Sequence, residues 1–134
     1  MAGKSDDLEN KLLDHVLGGG DYTRLATVYI ALFTAAPTDA GGGTEVSGNG
    51  YARKDVTNNA TNWPAAASGA KSNGTVITFA AASGGNWGTI VAFAIMSAVT
   101  AGVILYWGLV TPNKAVNDGD TASFAIGDLD ITED

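Results

Sequence analysis

Few side chains in this sequence are of types that could catalyse a reaction, and they are scattered along it. His15 is the only histidine, and it follows Asp14 in a segment with helical spacing. A histidine that acts as a general base needs a nucleophile and an orienting partner in the same pocket. The sequence places neither beside His15, and no cysteine is present to act as a nucleophile. We interpret His15 as a solvated helix residue and predict that the protein is not an enzyme.

The acidic residues near the end of the sequence are the best candidates for binding a metal ion. They are Asp118, Asp120, Asp128, Asp130, Glu133 and Asp134. The stretch NDGDTAS supplies two carboxylates around a glycine, but it lacks the spaced oxygen ligands and the final glutamate of a calcium loop. One histidine and no cysteine also leave no set of zinc ligands. We therefore predict no metal and no cofactor, since a hydrolase or a calcium-dependent lectin would need converging carboxylates.

Glycines are concentrated in residues 34–50, between two segments that read as strands. This 17-residue stretch contains Gly41, Gly42, Gly43, Gly48 and Gly50. A phosphate-binding loop needs Gly-Lys-Ser/Thr at the start of a helix, whereas a strand beginning at Tyr51 follows here. Connections of this length are usually functional or mobile. The stretch is therefore a binding loop or an arm that becomes ordered against a partner.

Aromatic side chains offer a second kind of binding site, a platform on which a sugar could stack. The candidates are Trp63, Trp87, Trp107, Tyr22, Tyr51 and Tyr106. Trp107 lies in the apolar run VILYWGLV, which is typical of a core or an interface. Trp63 and Trp87 adjoin turn residues and are expected to be partly exposed. A receptor- or sugar-binding role is an alternative that requires these aromatics to cluster with polar loops.

The charge balance argues against nucleic acid as a partner. The chain has 7 basic and 14 acidic residues, for a net charge of −7. Proteins that bind phosphate backbones need clustered lysine and arginine, and only Arg53 and Lys54 are adjacent. The apolar run from residue 89 to 110 is interrupted by Ser97, Thr100 and Gly102, so it reads as two strands of a hairpin rather than a membrane span.

Residues 6–17, DDLENKLLDHVL, are the only segment with a clear helical period. The pattern places five apolar residues on one face, Leu8, Leu12, Leu13, Val16 and Leu17, and Asp6 is the expected N-cap. Three turns of helix are marginally stable alone. We expect this face to contact the protein's own sheet or a second subunit.

The rest of the chain reads as seven or eight short strands separated by turns. This pattern predicts a mainly β fold, an antiparallel β-sandwich or jelly-roll-like domain preceded by a short N-terminal α-helix. We divide the chain into an arm and helix, residues 1–20, and a sandwich, residues 21–134, with the long loop at 34–50. The residues expected in the core or a trimer-type interface are Val28, Ile30, Phe93, Ile95, Ile104, Tyr106 and Phe124.

Several stretches resemble a family of small tailed-phage virion proteins that are commonly labelled phage tail fibre proteins. The similar stretches are VYIALFTAAPTDAGGGTEV, GYARKDVT, WGTIVAFAIM, ILYWGLV and DGDTASFAIGDLDIT. The glycine-rich joint, TEV followed by YAR, is the most specific of them. The resemblance implies a structural virion protein made in the host cytoplasm, and it transfers no catalytic residues. A chain of 134 residues without a shaft suits a capsid decoration (cement) protein, with a neck or tail adaptor as the alternative.

On this interpretation the protein works by adhesion between virion subunits. The expected partners are the major capsid protein or other virion subunits, together with further copies of this chain in a homo-oligomer, and neither nucleic acid nor a membrane. A glycine-rich loop without catalytic residues is then an arm that neighbouring subunits clamp. The candidate interface residues are Leu8, Leu12, Val16, Glu45, Tyr51, Arg53 and Lys54.

Overall fold

The structure is a computed structural model, and it describes residues 2–133. It contains one helix and ten strands within that range. In chain order they are β1 (Ala2–Lys4), α1 (Asp6–Val16), β2 (Thr27–Ala35), β3 (Thr44–Glu45), β4 (Lys54–Thr57), β5 (Ala70–Ser72), β6 (Ile77–Thr78), β7 (Gly88–Met96), β8 (Ile104–Val116), β9 (Ser123–Phe124) and β10 (Asp130–Thr132).

Eight strands form one mixed sheet in the order β3-β2-β7-β8-β1-β10-β5, and β4 pairs with the first half of β2 on the same side as β3. All pairs are antiparallel except β1 with β10. The strands β6 and β9 form a separate two-stranded sheet. The mainly β, sandwich-like fold with one short helix that the sequence predicts is confirmed.

The long hairpin of β7 and β8 forms the centre of the large sheet. The two apolar runs predict this hairpin, but its second strand, β8, continues to Val116, beyond the end of the apolar run at residue 110. The register places Ile90 opposite Lys114 and Ala92 opposite Leu109, so four residues of β8 bulge out against one of β7. Pro112 lies in this bulge, where its missing N–H interrupts no regular ladder bond.

Alternation along β2 divides the core into two faces. Val28, Ile30 and Leu32 point to one face, and Ala31 and Phe33 belong to the cluster on the other. The two-stranded sheet covers the first face through aromatic contacts, with the rings of Phe93 and Phe124 6.0 Å apart. Of the predicted core residues, five are buried, namely Val28, Ile30, Phe93, Ile95 and Ile104, while Tyr106 and Phe124 are half-buried and pack against the core.

The chain before the helix is part of the large sheet. Strand β1 lies between β8 and β10, and Ala2 is buried. Ser5, not Asp6, is the N-cap of α1, since its hydroxyl accepts from the backbone N–H of Leu8 at 3.3 Å and donates to the carbonyl of Ile104. The predicted cap is wrong by one residue because this second bond, to a strand 99 residues away, selects Ser5.

Candidate functional site

The glycine-rich loop is folded against its own chain. Thr38 and Gly41 exchange backbone hydrogen bonds in a tight turn, β3 pairs with the end of β2, and Val46 is buried. A Cβ on Gly43, whose φ is +77°, would lie 2.7 Å from the carbonyl oxygen of Ala35, so the chain can pass here only as glycine. The interpretation of this loop as an arm that needs a partner to become ordered is wrong.

Distant side chains complete the anchoring of the loop. The indole N–H of Trp107 donates to the carboxylate of Asp39 at 2.8 Å, and the indole N–H of Trp87 donates to the carbonyl of Asn49 at 2.9 Å. Trp63 and Trp87 are 7% and 6% exposed. The expectation that these two rings are partly exposed is therefore wrong, and they do not form an open platform for a sugar.

Glu45, Tyr51 and Arg53 form one hydrogen-bonded cluster, here called the joint network. The guanidinium of Arg53 donates to both carboxylate oxygens of Glu45, from Nε and Nη2, each at 2.8 Å. Tyr51 donates its hydroxyl proton to Glu45 Oε1 at 2.8 Å. Two-pronged pairs of this kind are among the stronger side-chain interactions. The sequence places these three residues at the glycine-rich joint, and the structure brings them together.

The joint network bridges a gap in the strand pairing at the edge of the large sheet. On the outer side of β2, pairing with β4 ends at Ile30 and pairing with β3 begins at Phe33. Between them, the backbone N–H of Leu32 donates to the hydroxyl of Tyr51 at 3.0 Å. Arg53 Nη1 also donates to the carbonyls of Ala98 and Ala101, at 2.8 and 2.7 Å, in the turn that joins β7 and β8. The network therefore ties β3, the connection between β3 and β4, and the turn between β7 and β8 to one sheet edge.

The electrostatics of the joint network follow from these bonds. Partial burial acts to raise the pKa of Glu45, but hydrogen bonds from Arg53 and Tyr51 outweigh it and lower the pKa below the ordinary 4.5. The hydrogen bond to Glu45 raises the pKa of Arg53. Burial, with the hydrogen bond to Glu45, raises the pKa of Tyr51 well above its ordinary value. The network therefore holds one carboxylate, one neutral phenol and one guanidinium near neutral pH.

The other predicted interface residues lie outside this network. Lys54 opens β4, and its ammonium is 3.6 Å from the carboxylate of Asp55. Leu8 is buried in the core and Leu12 packs against it, whereas Val16 is 73% exposed. Leu13 and Leu17, at 59% and 77% exposure, flank Val16 on the same end of the helix. The predicted apolar face therefore contacts the core only through Leu8 and Leu12. The other three residues of that face, Leu13, Val16 and Leu17, form an exposed apolar surface at the end of α1.

A cavity that the sequence analysis did not anticipate lies beside the helix, and we call it the helix-side cavity. It is lined by Leu8 and Leu12 of the helix, by Ile95 and Tyr106 of the sheet face, and by Trp63, with a volume of about 390 Å³. At its rim Glu133 accepts from the hydroxyl of Tyr106 at 2.9 Å and pairs with Lys4. The sequence marks these residues singly, as helix face, core or aromatic candidates, but gives no sign that they enclose one cavity, because they meet only through the fold.

The side chains considered for chemistry have structural roles. The ring Nδ1 of His15 accepts from the backbone N–H of Tyr22 at 3.1 Å. Asp118, Asp120 and Asp128 each accept from a backbone N–H in a turn, at 2.8 to 3.0 Å. Within residues 2–133 no three acidic or histidine side chains converge as a metal site would require. The same range contains no helix with the length and hydrophobicity needed to span a bilayer.

Comparison with known proteins identifies the family. A search of curated proteins gave no match. Residues 3–132 match the model of the family described as Podophage GP4 fiber I protein gp80. The match covers the helix, the large sheet and the two-stranded sheet, and it confirms the resemblance to tail-fibre-type virion proteins. The chain therefore belongs to this family of bacteriophage structural proteins.

Proposed function

We propose that this protein is a non-enzymatic subunit of the fibre apparatus on the phage tail or neck, and that it works by binding other virion subunits. The observation that carries this proposal is the family match over residues 3–132, because the family's description names a fibre protein. The match spans nearly the whole folded unit, so the shared property concerns the domain itself and not an appended motif.

The distribution of polar and apolar groups supports binding as the mode of action. The joint network directs its charged groups towards its own chain, and the aspartates cap turns. In contrast, Leu13, Val16 and Leu17 form an exposed apolar surface at the end of α1, the helix whose Leu8 and Leu12 line the helix-side cavity. Contiguous exposed apolar residues on a soluble protein are typical of protein–protein contact sites. We place the principal contact on this side of the molecule.

Capsid decoration is a second candidate, and the compactness of the domain favours it. Residues 2–133 form one sandwich-like unit with a single helix of 11 residues, and they include no long coiled coil or repeated strand solenoid. A cement protein of this shape would bind the major capsid protein at many equivalent positions and gain strength from repetition. Assembly of several copies into a homo-oligomer is compatible with either location.

Particles that lack the protein distinguish the two locations. Phage carrying a deletion of this gene would be purified and compared with wild-type particles for adsorption to cells and for DNA retention on heating. A fibre protein predicts normal heat resistance with impaired adsorption or incomplete tails. Capsids that release DNA at lower temperature while adsorbing normally would contradict the fibre location and support decoration.

A further inference from the structure

The segment that precedes β2 is joined to the rest of the domain by a glycine-rich hinge. This segment, here called the β1–α1 arm, consists of strand β1 and helix α1. The hinge is residues 17–21, which include three successive glycines, have no regular secondary structure and are all exposed. After the hinge the chain is held again, since Tyr22 and Leu25 pack against the core. The arm is therefore a distinct structural unit on a short, exposed connection.

The β1–α1 arm fills a gap in the large sheet, here called the arm slot. Strand β1 lies between β8 and β10, which do not pair with each other within residues 2–133. The arm also contributes to the core, because Ala2 and Leu8 are 1% and 3% exposed, and Lys4 forms an ion pair with Glu133. Unpaired strand edges readily accept another strand. The slot therefore requires a strand with this sequence, from this chain or from another copy of it.

Exchange of the arm between two copies would preserve the contacts in the slot, because every copy presents the same slot. The hydrogen bonds across the hinge are exposed and few, and they run from the Tyr22 N–H to His15 Nδ1 at 3.1 Å and from the Gly20 N–H to the Asp14 carbonyl at 3.3 Å. Five extended residues span about 17 Å, more than the roughly 10 Å diameter of a helix, so the hinge is long enough to carry the arm to a neighbouring copy. Exchange of an identical element is a low-cost route to a dimer.

The exposed apolar surface at the end of α1 adjoins the hinge. Leu13, Val16 and Leu17 are 59%, 73% and 77% exposed, and Leu17 is the first hinge residue. In a reciprocal exchange the two hinges pass each other at the two-fold axis, which brings the ends of the two helices together. The chain with its own arm in the slot leaves this surface in water, whereas exchange buries it against a second copy.

We propose that two copies of this chain exchange their β1–α1 arms, so that the arm of each copy fills the arm slot of the other. The apolar surface at the end of α1 then becomes part of the dimer interface. This inference goes beyond the proposed function, because the exchange is a property of the chain itself and holds for a dimer on the tail, the neck or the capsid.

Two variants expressed together test the exchange directly. A carbodiimide can couple the amine of Lys4 to the carboxylate of Glu133, because the two groups form an ion pair. One copy would carry Lys4→Gln and the other Glu133→Gln, so that neither chain can form the link between residues 4 and 133 within itself. Protein purified from cells that express both variants would be treated with the carbodiimide, digested and analysed by mass spectrometry. The wild-type protein calibrates the yield, since its link forms with or without exchange.

The exchange predicts a covalent dimer of the two variants that contains the linked peptide, and no linked peptide from either variant expressed alone. The yield should be about one quarter of the wild-type yield, because half of randomly formed two-fold dimers are mixed and each mixed dimer keeps one of its two ion pairs. If the wild-type protein gives the linked peptide and the mixed preparation gives none, the exchange is wrong. The proposed function would still stand, since it depends on the family match.

A charge at the end of α1 provides the second readout. Val16→Lys places an ammonium in the proposed dimer interface, and lysine is well tolerated in the last turn of a helix. Val76→Lys is the matched control, because Val76 is also exposed, at 57%, and lies far from the hinge in sequence. We expect Val16→Lys to raise the dimer Kd by about tenfold, measured by analytical ultracentrifugation, and Val76→Lys to leave it near the wild-type value. A monomeric wild-type protein, or equal weakening by the two variants, would overturn the proposal.

Discussion

The joint network and the helix-side cavity both bury polar side chains beside the large sheet, and they differ in how those groups are satisfied. In the joint network the carboxylate of Glu45 accepts three hydrogen bonds, and the tyrosine hydroxyl both donates and accepts. In the cavity the indole N–H of Trp63 has no acceptor within residues 2–133. The residues of the first cluster are predicted from sequence to lie at an interface, whereas no sequence pattern indicates the second.

This difference separates residues that stabilise the domain from residues that are suited to contact a partner. A fully bonded cluster can gain little from a new neighbour, because its donors and acceptors are already used. The mainly apolar walls of the helix-side cavity, in contrast, gain buried surface when a partner covers them. The assignment of Glu45, Tyr51 and Arg53 to a subunit contact stays a prediction, and the structure supplies them with an internal function.

The largest expected effect on stability comes from Arg53→Ala. This change leaves Glu45 without its ion-pair partner and removes the donors to Ala98 and Ala101, and the Arg53 side chain is only 8% exposed. We expect the free energy of unfolding to fall by about 2 to 4 kcal/mol, measured by urea denaturation. Lys54→Ala is the matched control, because its pair with Asp55 is exposed and worth less than about 0.5 kcal/mol. Equal losses in the two variants would contradict the internal role of the network.

Tyr51→Phe should have a smaller effect than Arg53→Ala. The ring keeps its contacts with Phe79 and Trp87, at centroid distances of 6.4 and 5.3 Å, while the hydroxyl is lost. The N–H of Leu32 then loses its acceptor, which we expect to cost about 1 to 2 kcal/mol in unfolding free energy. Hydrogen exchange at Leu32 would show the same change locally. Unaltered protection of that amide would contradict the account of the sheet edge.

Substitution of the two buried tryptophans compares, in the isolated domain, an indole N–H that has a hydrogen-bond acceptor with one that has none. Trp63→Phe and Trp87→Phe remove the same volume from sites of nearly equal exposure, but only Trp87 loses a hydrogen bond. We expect Trp87→Phe to be more destabilising by about 1 kcal/mol in urea denaturation. A greater loss for Trp63→Phe would mean that its N–H is already bonded in the free protein.

The smallest expected effect is the pH dependence of the stability that Glu45 contributes. Because the folded state lowers the pKa of Glu45 below 4.5, the ionised carboxylate contributes stability above that pH, and the contribution is lost as pH falls through the folded pKa. Glu45→Gln should therefore be less stable than wild type at pH 7, and the difference should narrow towards pH 3. The midpoints of urea denaturation at pH 7 and pH 3 measure this difference in stability. A difference that is constant with pH would exclude ionisation of Glu45 as the cause.

Much of the architecture could be predicted because it depends on local pattern. The alternation in Thr27–Ala35 and the paired apolar runs of the hairpin identify the centre of the large sheet. The strands β1, β3 and β5 have three residues or fewer, which is too short for a period to show. The ordered conformation of the glycine-rich loop could not be predicted from the sequence either, because it depends on contacts such as that of Trp107 with Asp39, 68 residues apart in sequence.

The candidate site was predictable only where its residues share a motif. Glu45, Tyr51 and Arg53 lie within nine positions at the joint, so the sequence groups them correctly while giving no sign that they bond to one another. The helix-side cavity draws on Arg24, Trp63 and Lys71, which meet only after the sheet has formed. The sequence marks only Trp63 of these three, as an aromatic candidate, and the missing partner of its N–H is a property of the folded chain.

The central claim is that the domain binds other virion subunits through its helix side. Localised reconstruction of the virion by electron cryomicroscopy tests this claim most directly. The account predicts density for this domain on the tail or neck, with Leu13, Val16 and Leu17 covered by a neighbouring subunit. Density in which the helix side and its cavity face solvent, or in which the domain lies on the capsid lattice, would contradict the account.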